Sequence, residues 1–386
     1  MKKYFHIYFL LLSVVFSSCS SQEGDDYASL SHREDWSHHY AYGSPSWDTF
    51  EHFPANPVYR GSEGMEWPVN GFLFSDPQSS NWYLYIGEYK ENYATDQDPE
   101  TVDFKCVIYK SSDRGKNWER SGDLFPPNLV CYDSIKIQAP DVMVTYSDGK
   151  YHMVFDWVSD KFDWQHAERS GLGYASADSP EGPFTVSKEP IKINTQYKQK
   201  PLLDRYWRMY ATMIIKRKDD WALVYMMDTQ PARSWVLAVS TAKNPEGPYG
   251  DSQIILNVER KTNFHPLQEY FPAFTHDGYA YFPTTSVAKN RNHQAVYKVK
   301  IEDITKANKY ELLNTGSLWH SENVENEYAG IWGQTFTGFV DSNDSIYVMF
   351  PSKDKKNLGT INLAKASWNH LFREQGFNLT ANEGNS

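Results

Sequence analysis

The chain repeats one pattern of apolar and polar positions five times. In each copy, an apolar run leads through a polar turn to a second run rich in aromatic residues, which is the pattern of a β-hairpin. The copies occupy residues 71–85, 142–155, 213–225, 271–282 and 336–348. Their second runs begin at residues 82, 151, 221, 279 and 346, so the steps between copies are 69, 70, 58 and 67 residues. This near-constant period predicts a repeat architecture with one four-stranded unit in each copy.

The segments between the hairpins contain recurring turns. Residues 176–184 recur as residues 241–249, 65 positions later, and both copies contain Pro-Glu-Gly-Pro. Residues 111–118 take the corresponding place in the first copy and resemble the Asp-box turn of sialidase-type propellers. We therefore predict an all-β protein, a single five-bladed β-propeller of four-stranded antiparallel blades. A pair of long β-sandwiches is the alternative interpretation of the same spacing.

The predicted propeller extends over residues 48–374. Closing the ring requires residues 48–59 to pair with the last blade, and the polar residues 375–386 are expected to form a flexible tail.

The first residues are expected to be a targeting segment. A basic start and thirteen mostly apolar residues, Tyr4 to Phe16, predict a lipoprotein signal peptide over residues 1–18. The small residues before Cys19 resemble the lipobox of bacterial lipoproteins, which makes Cys19 the predicted lipidation site. A tether is predicted over residues 19–47, and its polar, acidic start at 20–26 resembles the surface-export signal of Bacteroidetes lipoproteins. The expected location is the outer membrane, with the protein exported and surface-exposed; an ordinary signal with an incidental cysteine is the alternative.

Composition and charge indicate a folded protein and exclude one class of binding partner. The chain is 40% hydrophobic and 16% aromatic, enough for a large core, and it carries 49 acidic against 38 basic residues. Because the net charge is −11 and no basic patch is present, nucleic acid is not an expected partner. Cys106 and Cys131 are the other two cysteines, and either a disulfide or two buried thiols fits an exported protein.

Carboxylates stand where three predicted inner strands begin. Asp141 opens an otherwise apolar strand in the second repeat, Glu269 opens the fourth, and Glu66 precedes the first. Inner strands of a propeller converge on its axis, so these side chains are expected to surround one funnel. Capping of strand ends is the structural alternative for each of them.

The sequence from 60 to 365 resembles the five-bladed β-propeller glycoside hydrolases of families 43 and 117. The resemblance rests on Ala-Pro-Asp-Val at 139–142, on the two Pro-Glu-Gly-Pro turns and on hairpins such as Asp148-Gly149. It implies two-carboxylate acid/base hydrolysis of a complex poly- or oligosaccharide, with Glu269 as acid, Glu66 as base and Asp141 biasing the proton of the acid.

The sequence departs from the family pattern on the first and third blades. Glu66-Trp67-Pro68 stands where the family has an early Asp-Pro. Arg-Tyr-Trp-Arg at 205–208 supplies no glutamate on the third blade. Glu269 also lies eight residues before Asp277, whereas Asp141 lies seven before Asp148. In a regular ladder, this offset would turn one of the two carboxylates to the other face of its sheet.

Further residues fit carbohydrate binding, since sugar rings need aromatic platforms and polar groups for their hydroxyls. The predicted substrate-binding residues are Trp67, Asp156, Trp157, Arg208, Trp332 and Gln334. Each tryptophan has packing between blades as its alternative role. No cofactor motif or metal-ligand spacing is recognisable, so no cofactor is predicted, although a structural calcium is compatible with the fold.

Three other functions fit parts of the sequence. A sialidase-like glycosidase is suggested by the Asp-box and by Arg60, Arg208 and Arg233, although sialidases have six blades. A non-catalytic surface glycan-binding lipoprotein would keep the aromatic residues and lack the acid/base pair. A polysaccharide lyase on the same fold would use His, Tyr or Lys as base. The hydrolase, acting at chain ends, is the leading hypothesis.

Overall fold

The chain folds into antiparallel β-sheets, and two short 3-10 helices, Ile301–Asp303 and Ala307–Lys309, lie in the fourth blade. The computed structural model describes residues 51–61, 67–89, 104–126, 129–132, 135–159, 170–194, 206–229, 234–257, 268–270, 272–288, 291–314, 337–353 and 359–368. Within these ranges no helix is long and apolar enough to cross a bilayer. The predicted signal peptide, tether and tail lie outside them.

Five sheets follow one another along the chain, and each runs from an inner strand outward. The strands of blade I are Trp67–Ser75, Trp82–Tyr89, Phe104–Ser111 and Glu119–Asp123. Those of blade II are Ile135–Ser147, Lys150–Ser159, Ser170–Ala177 and Thr185–Val186, with Val130–Cys131 beside the inner strand. Those of blade III are Tyr206–Lys216, Trp221–Thr229, Ser234–Ala242 and Gln253–Asn257. A parallel pair of short strands, Ile193–Asn194 and Tyr249–Asp251, joins the rims of blades II and III.

The last two blades each have an irregular edge. Their strands are Gln268–Tyr270 with Phe274–His276, Tyr279–Ala288, Arg291–Lys300 and Glu311–Asn314 in blade IV; and Thr337–Val340, Ser345–Lys353 and Gly359–Ser367 in blade V, closed by Glu51–His52 and Tyr59–Arg60. Each sheet contacts the next, and blade V contacts blade I. The predicted all-β, five-bladed propeller is therefore confirmed.

Two ends of the propeller can be distinguished from the strand directions. The inner strands begin at one end, which we call the mouth face, and turn into the second strands at the other end, the hairpin face. Blades II and IV turn through Asp148-Gly149 and Asp277-Gly278, where all four residues have positive φ, from 48° to 79°. Aspartate followed by glycine suits this two-residue turn, whose twist matches that of the flanking strands.

The core lies between adjacent blades, because successive side chains of a strand point to opposite faces of its sheet. On the second strand of blade II, Tyr151 packs against Phe74 of blade I, with ring centroids 6.2 Å apart. The next residue, His152, packs against Trp221 of blade III at 4.6 Å. Odd-numbered residues of this strand therefore face blade I and even-numbered residues face blade III.

The N-terminal segment closes the ring by forming the outer edge of blade V. Glu51 pairs with Lys365 and Tyr59 pairs with Ile361 in antiparallel register. Between them the Asn56 side chain replaces a strand residue: its Nδ2 donates to the Leu363 carbonyl, and its Oδ1 accepts from the Leu363 amide, both at 2.9 Å. The predicted closure by this part of the chain is confirmed. The segment enters at the hairpin face and leaves at the mouth face.

The Asp-box-like turn of blade I is a closed hydrogen-bond network. Asp113 Oδ1 accepts from the Ser111 hydroxyl and the Asn117 amide at 2.8 Å, and its Oδ2 accepts from Asn117 Nδ2 at 2.6 Å. The Ser111 hydroxyl in turn accepts from the Gly115 amide at 2.8 Å. The hydrogen bonds from Asn117 lower the pKa of Asp113 to about 2. The motif therefore holds the turn in place and acts as a folding device.

The two Pro-Glu-Gly-Pro turns fold alike, with Gly182 and Gly247 both at positive φ, 82° and 90°. The first copy joins blade II to blade I. Glu181 accepts from Lys110 Nζ at 3.0 Å and from the Ser121 hydroxyl at 2.5 Å, and the Tyr85 hydroxyl donates to the Pro180 carbonyl at 2.7 Å. The repeat seen in the sequence therefore marks a contact between blades.

Removing the closing segment should destabilise the whole ring. A form beginning at Glu51 keeps the segment, and a form beginning at Ser62 lacks it. The shorter form loses the burial of Tyr59, which is 7% exposed, and the pairing along blade V. Burial of one large apolar side chain contributes about 1.5–3 kcal/mol, so we expect the Tm to fall by at least about 5 °C. Calorimetry of both forms checks this, and equal Tm values would contradict it.

The Asp113 network should make the stability of the folded protein depend on pH. Since the pKa of Asp113 is lowered in the folded state, its stabilisation is present above about pH 4 and is lost as the pH falls towards about 2. We expect Asp113→Asn to lower the Tm at pH 5 and to differ less from wild type at pH 2.5. Asp178→Asn, an equal charge change at an exposed residue, is the control. A difference for Asp113→Asn that is constant with pH would refute the assignment.

Candidate active site

The mouth face of blade II carries two carboxylates on paired strands. Asp141 lies on the inner strand and pairs directly with Asp156 on the second strand. The Asp141 backbone amide donates to Asp156 Oδ1 at 3.1 Å. Asp156 is 1% exposed, and both carboxyl oxygens of Asp141 are buried although the residue as a whole is only half-buried. The position predicted from Ala-Pro-Asp-Val is therefore a densely packed site at the mouth.

Strand alternation shows which way this pair faces. His152 packs against blade III, and Asp156 lies four residues further along the same regular strand, so Asp156 is on the side towards blade III. Asp141 shares that side because directly paired residues of a ladder lie on the same face. The inner strand of blade III, Tyr206–Lys216, is the element packed there.

Glu269 occupies the matching register position in blade IV. Asp141 pairs with Asp156, six residues beyond Lys150, which closes the blade II hairpin. Glu269 pairs with Thr285, six residues beyond Tyr279, which closes the blade IV hairpin. In the sequence, Glu269 is one residue further from its turn than Asp141 is. Irregular pairing between Tyr270 and Phe274, where three residues lie opposite two, compensates for this difference. Asp141 and Glu269 are thus at the same level of their blades and at the same end of the propeller.

The remaining predicted site residues are described less completely. Glu66, Trp332, Gln334 and the lipidation site Cys19 lie outside the described residues. Trp67 begins the inner strand of blade I, and Arg208 lies where the pairing of the blade III inner strand is irregular, between Tyr206 and Met209. Both backbones are at the mouth face. The roles of all these residues stay predictions.

Trp157 is packed inside the protein. It is 5% exposed, and its ring lies 5.4 Å from that of Tyr132. The indole also covers Gly171, where an added Cβ would come within 3.0 Å of the ring. This is the packing role considered for each tryptophan, and it leaves little of the ring exposed to a sugar. Its assignment to substrate binding stays a prediction.

Cys106 is a free, buried thiol beneath this part of the mouth. Burial raises its pKa well above the ordinary value, and the negative charges of Asp141 and Glu88 add to the effect. A neutral thiol is therefore the stable form. Of the two alternatives for the cysteines, a disulfide is not formed by Cys106; the side chain of Cys131 lies outside the described residues.

Glu88 is a buried carboxylate that the sequence analysis did not single out. It is 8% exposed and accepts a hydrogen bond from the Tyr59 hydroxyl at 2.7 Å. Burial and this hydrogen bond raise the pKa of Tyr59. The bond ties the closing segment to the second strand of blade I near the mouth. A glutamate at the end of an aromatic strand was the available signal, but its partner is 29 residues away and not visible in the pattern.

A cavity of about 670 Å³ lies on the axis at the hairpin face. Its lining comes from the later halves of the inner strands and includes Met143, Thr212, Phe274 and Phe339. The lining carboxylates are turn residues. Asp76 accepts from the Tyr151 and Ser79 hydroxyls at 2.6 Å, and Asp341 Oδ1 accepts from the Asn343 and Ser345 amides at 2.9 Å. They are thus committed to holding the turns, and Asp141 does not line this cavity.

Within the described ranges, no group of three or more His, Cys, Asp or Glu side chains is arranged to hold a metal ion. The structural calcium considered from the sequence is therefore not assigned to any of these residues.

Comparison with solved structures shows that the fold is shared with several glycoside hydrolases of low sequence identity. The chain is similar to a family 117 glycoside hydrolase of Zobellia galactanivorans, at 14% identity and TM-score 0.51 over 83% of this chain and 90% of the other. Its similarity to an endo-arabinase from Bacteroides thetaiotaomicron is 12% identity and TM-score 0.51, over 78% and 93%. For a glycosyl hydrolase from Bacteroides ovatus the values are 12% and 0.53, over 81% and 93%. No family model and no curated protein matches the sequence. The resemblance seen in the motifs is confirmed at the level of the fold.

The free state of Cys106 can be checked by counting thiols. An unlipidated form beginning at Ser20 retains only Cys106 and Cys131. We expect two reactive thiols in non-reducing denaturant. In the folded Cys131→Ser variant we expect none, because the remaining thiol is 4% exposed and its pKa is raised. Titration with a chromogenic disulfide reagent gives the count. Absence of reactive thiols after denaturation would indicate a disulfide instead.

Proposed function

We propose that the protein is a glycoside hydrolase that cleaves a complex poly- or oligosaccharide by two-carboxylate acid/base catalysis. The observation that carries the proposal is the matching register of Asp141 and Glu269 on separate blades at one end of the propeller. Glycoside hydrolysis requires carboxyl groups on both sides of the scissile bond. Carboxylates contributed by different blades around one axis meet that requirement.

In this proposal Glu269 is the general acid that protonates the leaving oxygen, and Glu66 is the base that activates water or attacks the sugar. Asp141, whose carboxyl oxygens are buried, biases the proton of the acid, since a neighbouring negative charge favours the protonated form of a carboxyl group. The solved structures of similar fold include an arabinase and a family 117 hydrolase, which supports a carbohydrate substrate without naming the sugar.

We further propose action at chain ends. The N-terminal segment closes the fifth blade onto the first, so a site on the axis is bounded by blades on every side. A site enclosed in this way would suit the end of a saccharide chain better than its middle.

Surface anchoring through a lipid on Cys19 is part of the same proposal. The segment that begins at Glu51 enters the ring at the hairpin face, opposite the carboxylates of the mouth. A tether attached there would present the mouth away from the outer membrane, towards soluble glycans.

The test is hydrolysis of a panel of polysaccharides and oligosaccharides by the mature protein, with reducing-sugar detection and product analysis. We expect Asp141→Asn and Glu269→Gln to lower kcat by at least about 100-fold with ligand affinity retained. Asp148→Asn is the matched control, because Asp148 lies beyond the other end of the same inner strand as Asp141 and is 62% exposed.

Each other outcome distinguishes an alternative. Saccharide binding without turnover would identify a glycan-binding protein. Products that absorb in the ultraviolet would identify a lyase. Wild-type rates in both carboxylate variants would remove Asp141 and Glu269 from the catalytic site.

A further inference from the structure

We propose that Asp156 is a positioning residue that fixes the backbone of Asp141 at the mouth. This goes beyond the sugar-binding role predicted from the sequence, and its catalytic consequence rests on the proposed function. The argument uses the pairing of the two strands, the hydrogen bond between the two residues and their burial.

The inner strand of blade II is irregular immediately before Asp141. Gln138 pairs with Val158 and Asp141 pairs with Asp156, so two residues, Ala139 and Pro140, lie opposite Trp157 alone. This is a β-bulge, which interrupts the ladder and re-aims the side chain that follows it. Proline also lacks an amide hydrogen. Asp141 is therefore the first residue after a break in the main-chain pairing.

The Asp156 carboxylate satisfies the backbone at this break. Its Oδ1 accepts the Asp141 amide hydrogen at 3.1 Å, within the range of a good hydrogen bond. A buried amide without a partner would cost about 1–3 kcal/mol. Because this side-chain oxygen replaces the main-chain acceptor that the bulge removes, Asp156 holds the chain at the point where the Asp141 side chain leaves it.

Burial separates this role from contact with a sugar. Asp156 is 1% exposed, so a saccharide hydroxyl does not reach it without displacing protein atoms. The equivalent residue opposite Glu269 is Thr285, so a carboxylate at this position is not common to the two blades. The placement fits a requirement specific to Asp141 and its bulge.

The experiment compares Asp156→Val with Asp156→Asn in the mature protein. Valine has a similar size and suits a strand, but it removes the acceptor, whereas asparagine keeps an acceptor oxygen and removes the charge. His152→Gln is the matched control, because His152 is a buried polar residue on the same face of the same strand. Amide exchange at Asp141, kcat and KM are measured for each variant, with circular dichroism to verify folding.

We expect Asp156→Val to exchange the Asp141 amide at least about 10-fold faster, because an amide that loses its acceptor also loses its protection. Its kcat should fall at least about 10-fold with KM within about twofold, since misplacement of a catalytic group affects turnover more than binding. Asp156→Asn should keep exchange and kcat near wild type. The His152 variant should leave both unchanged.

The other results overturn the proposal. A raised KM with unchanged kcat in Asp156→Val would assign Asp156 to substrate contact, and equal losses in the Asn and Val variants would assign the effect to charge. If Asp156→Val does not fold, only the Asn variant is measured. Faster exchange at Asp141 in that variant would also overturn the proposal, because asparagine keeps the acceptor oxygen. Exchange is measured without substrate, so unchanged protection in Asp156→Val refutes positioning even if the protein proves not to be a hydrolase. Absence of turnover in wild type refutes only the proposed function.

Discussion

Every blade of this protein has two apolar faces, and both must be buried against a neighbour. The second strand of blade II illustrates the constraint, with Tyr151 against blade I and His152 against blade III. An open row of such sheets would leave two faces exposed to water, so the row must close into a ring. The segment from Glu51 to Arg60 closes it, and the Asn56 amide maintains the hydrogen-bond ladder where the strand is interrupted. The ring then brings the starts of the inner strands together.

The repeating parts of the fold could be predicted from the sequence because each is local. A two-residue Asp-Gly turn between apolar runs specifies a hairpin without reference to the rest of the chain, and Asp148-Gly149 and Asp277-Gly278 adopt it. The Asp113 network is also contained within a few residues. Closure was predictable for a different reason: a ring of blades has to close, and residues 48–59 directly precede the first blade and can pair with the last.

The candidate site was less predictable because its relations are not local. Counting residues back from the turns separated Glu269 from Asp141 by one position, and only the ladder shows that irregular pairing restores the level. The partner of Asp141 is 15 residues away on another strand, and the partner of Glu88 is 29 residues away. A tryptophan such as Trp157 gives no sign in the sequence of which face it presents, and the structure packs it inside the protein.

The two ends of the propeller use carboxylates in different ways. At the hairpin face, Asp76 and Asp341 accept hydrogen bonds from amides or hydroxyls of their own turns, so their charges are committed to local structure. At the mouth, the strands begin irregularly and the ladder is interrupted, as at the bulge before Asp141. An interrupted ladder leaves an amide that a side chain can bind, and it changes the direction of the side chain that follows it. The irregularity that makes the mouth difficult to predict from a repeat is thus also what allows the Asp141 backbone to be held there by a side chain.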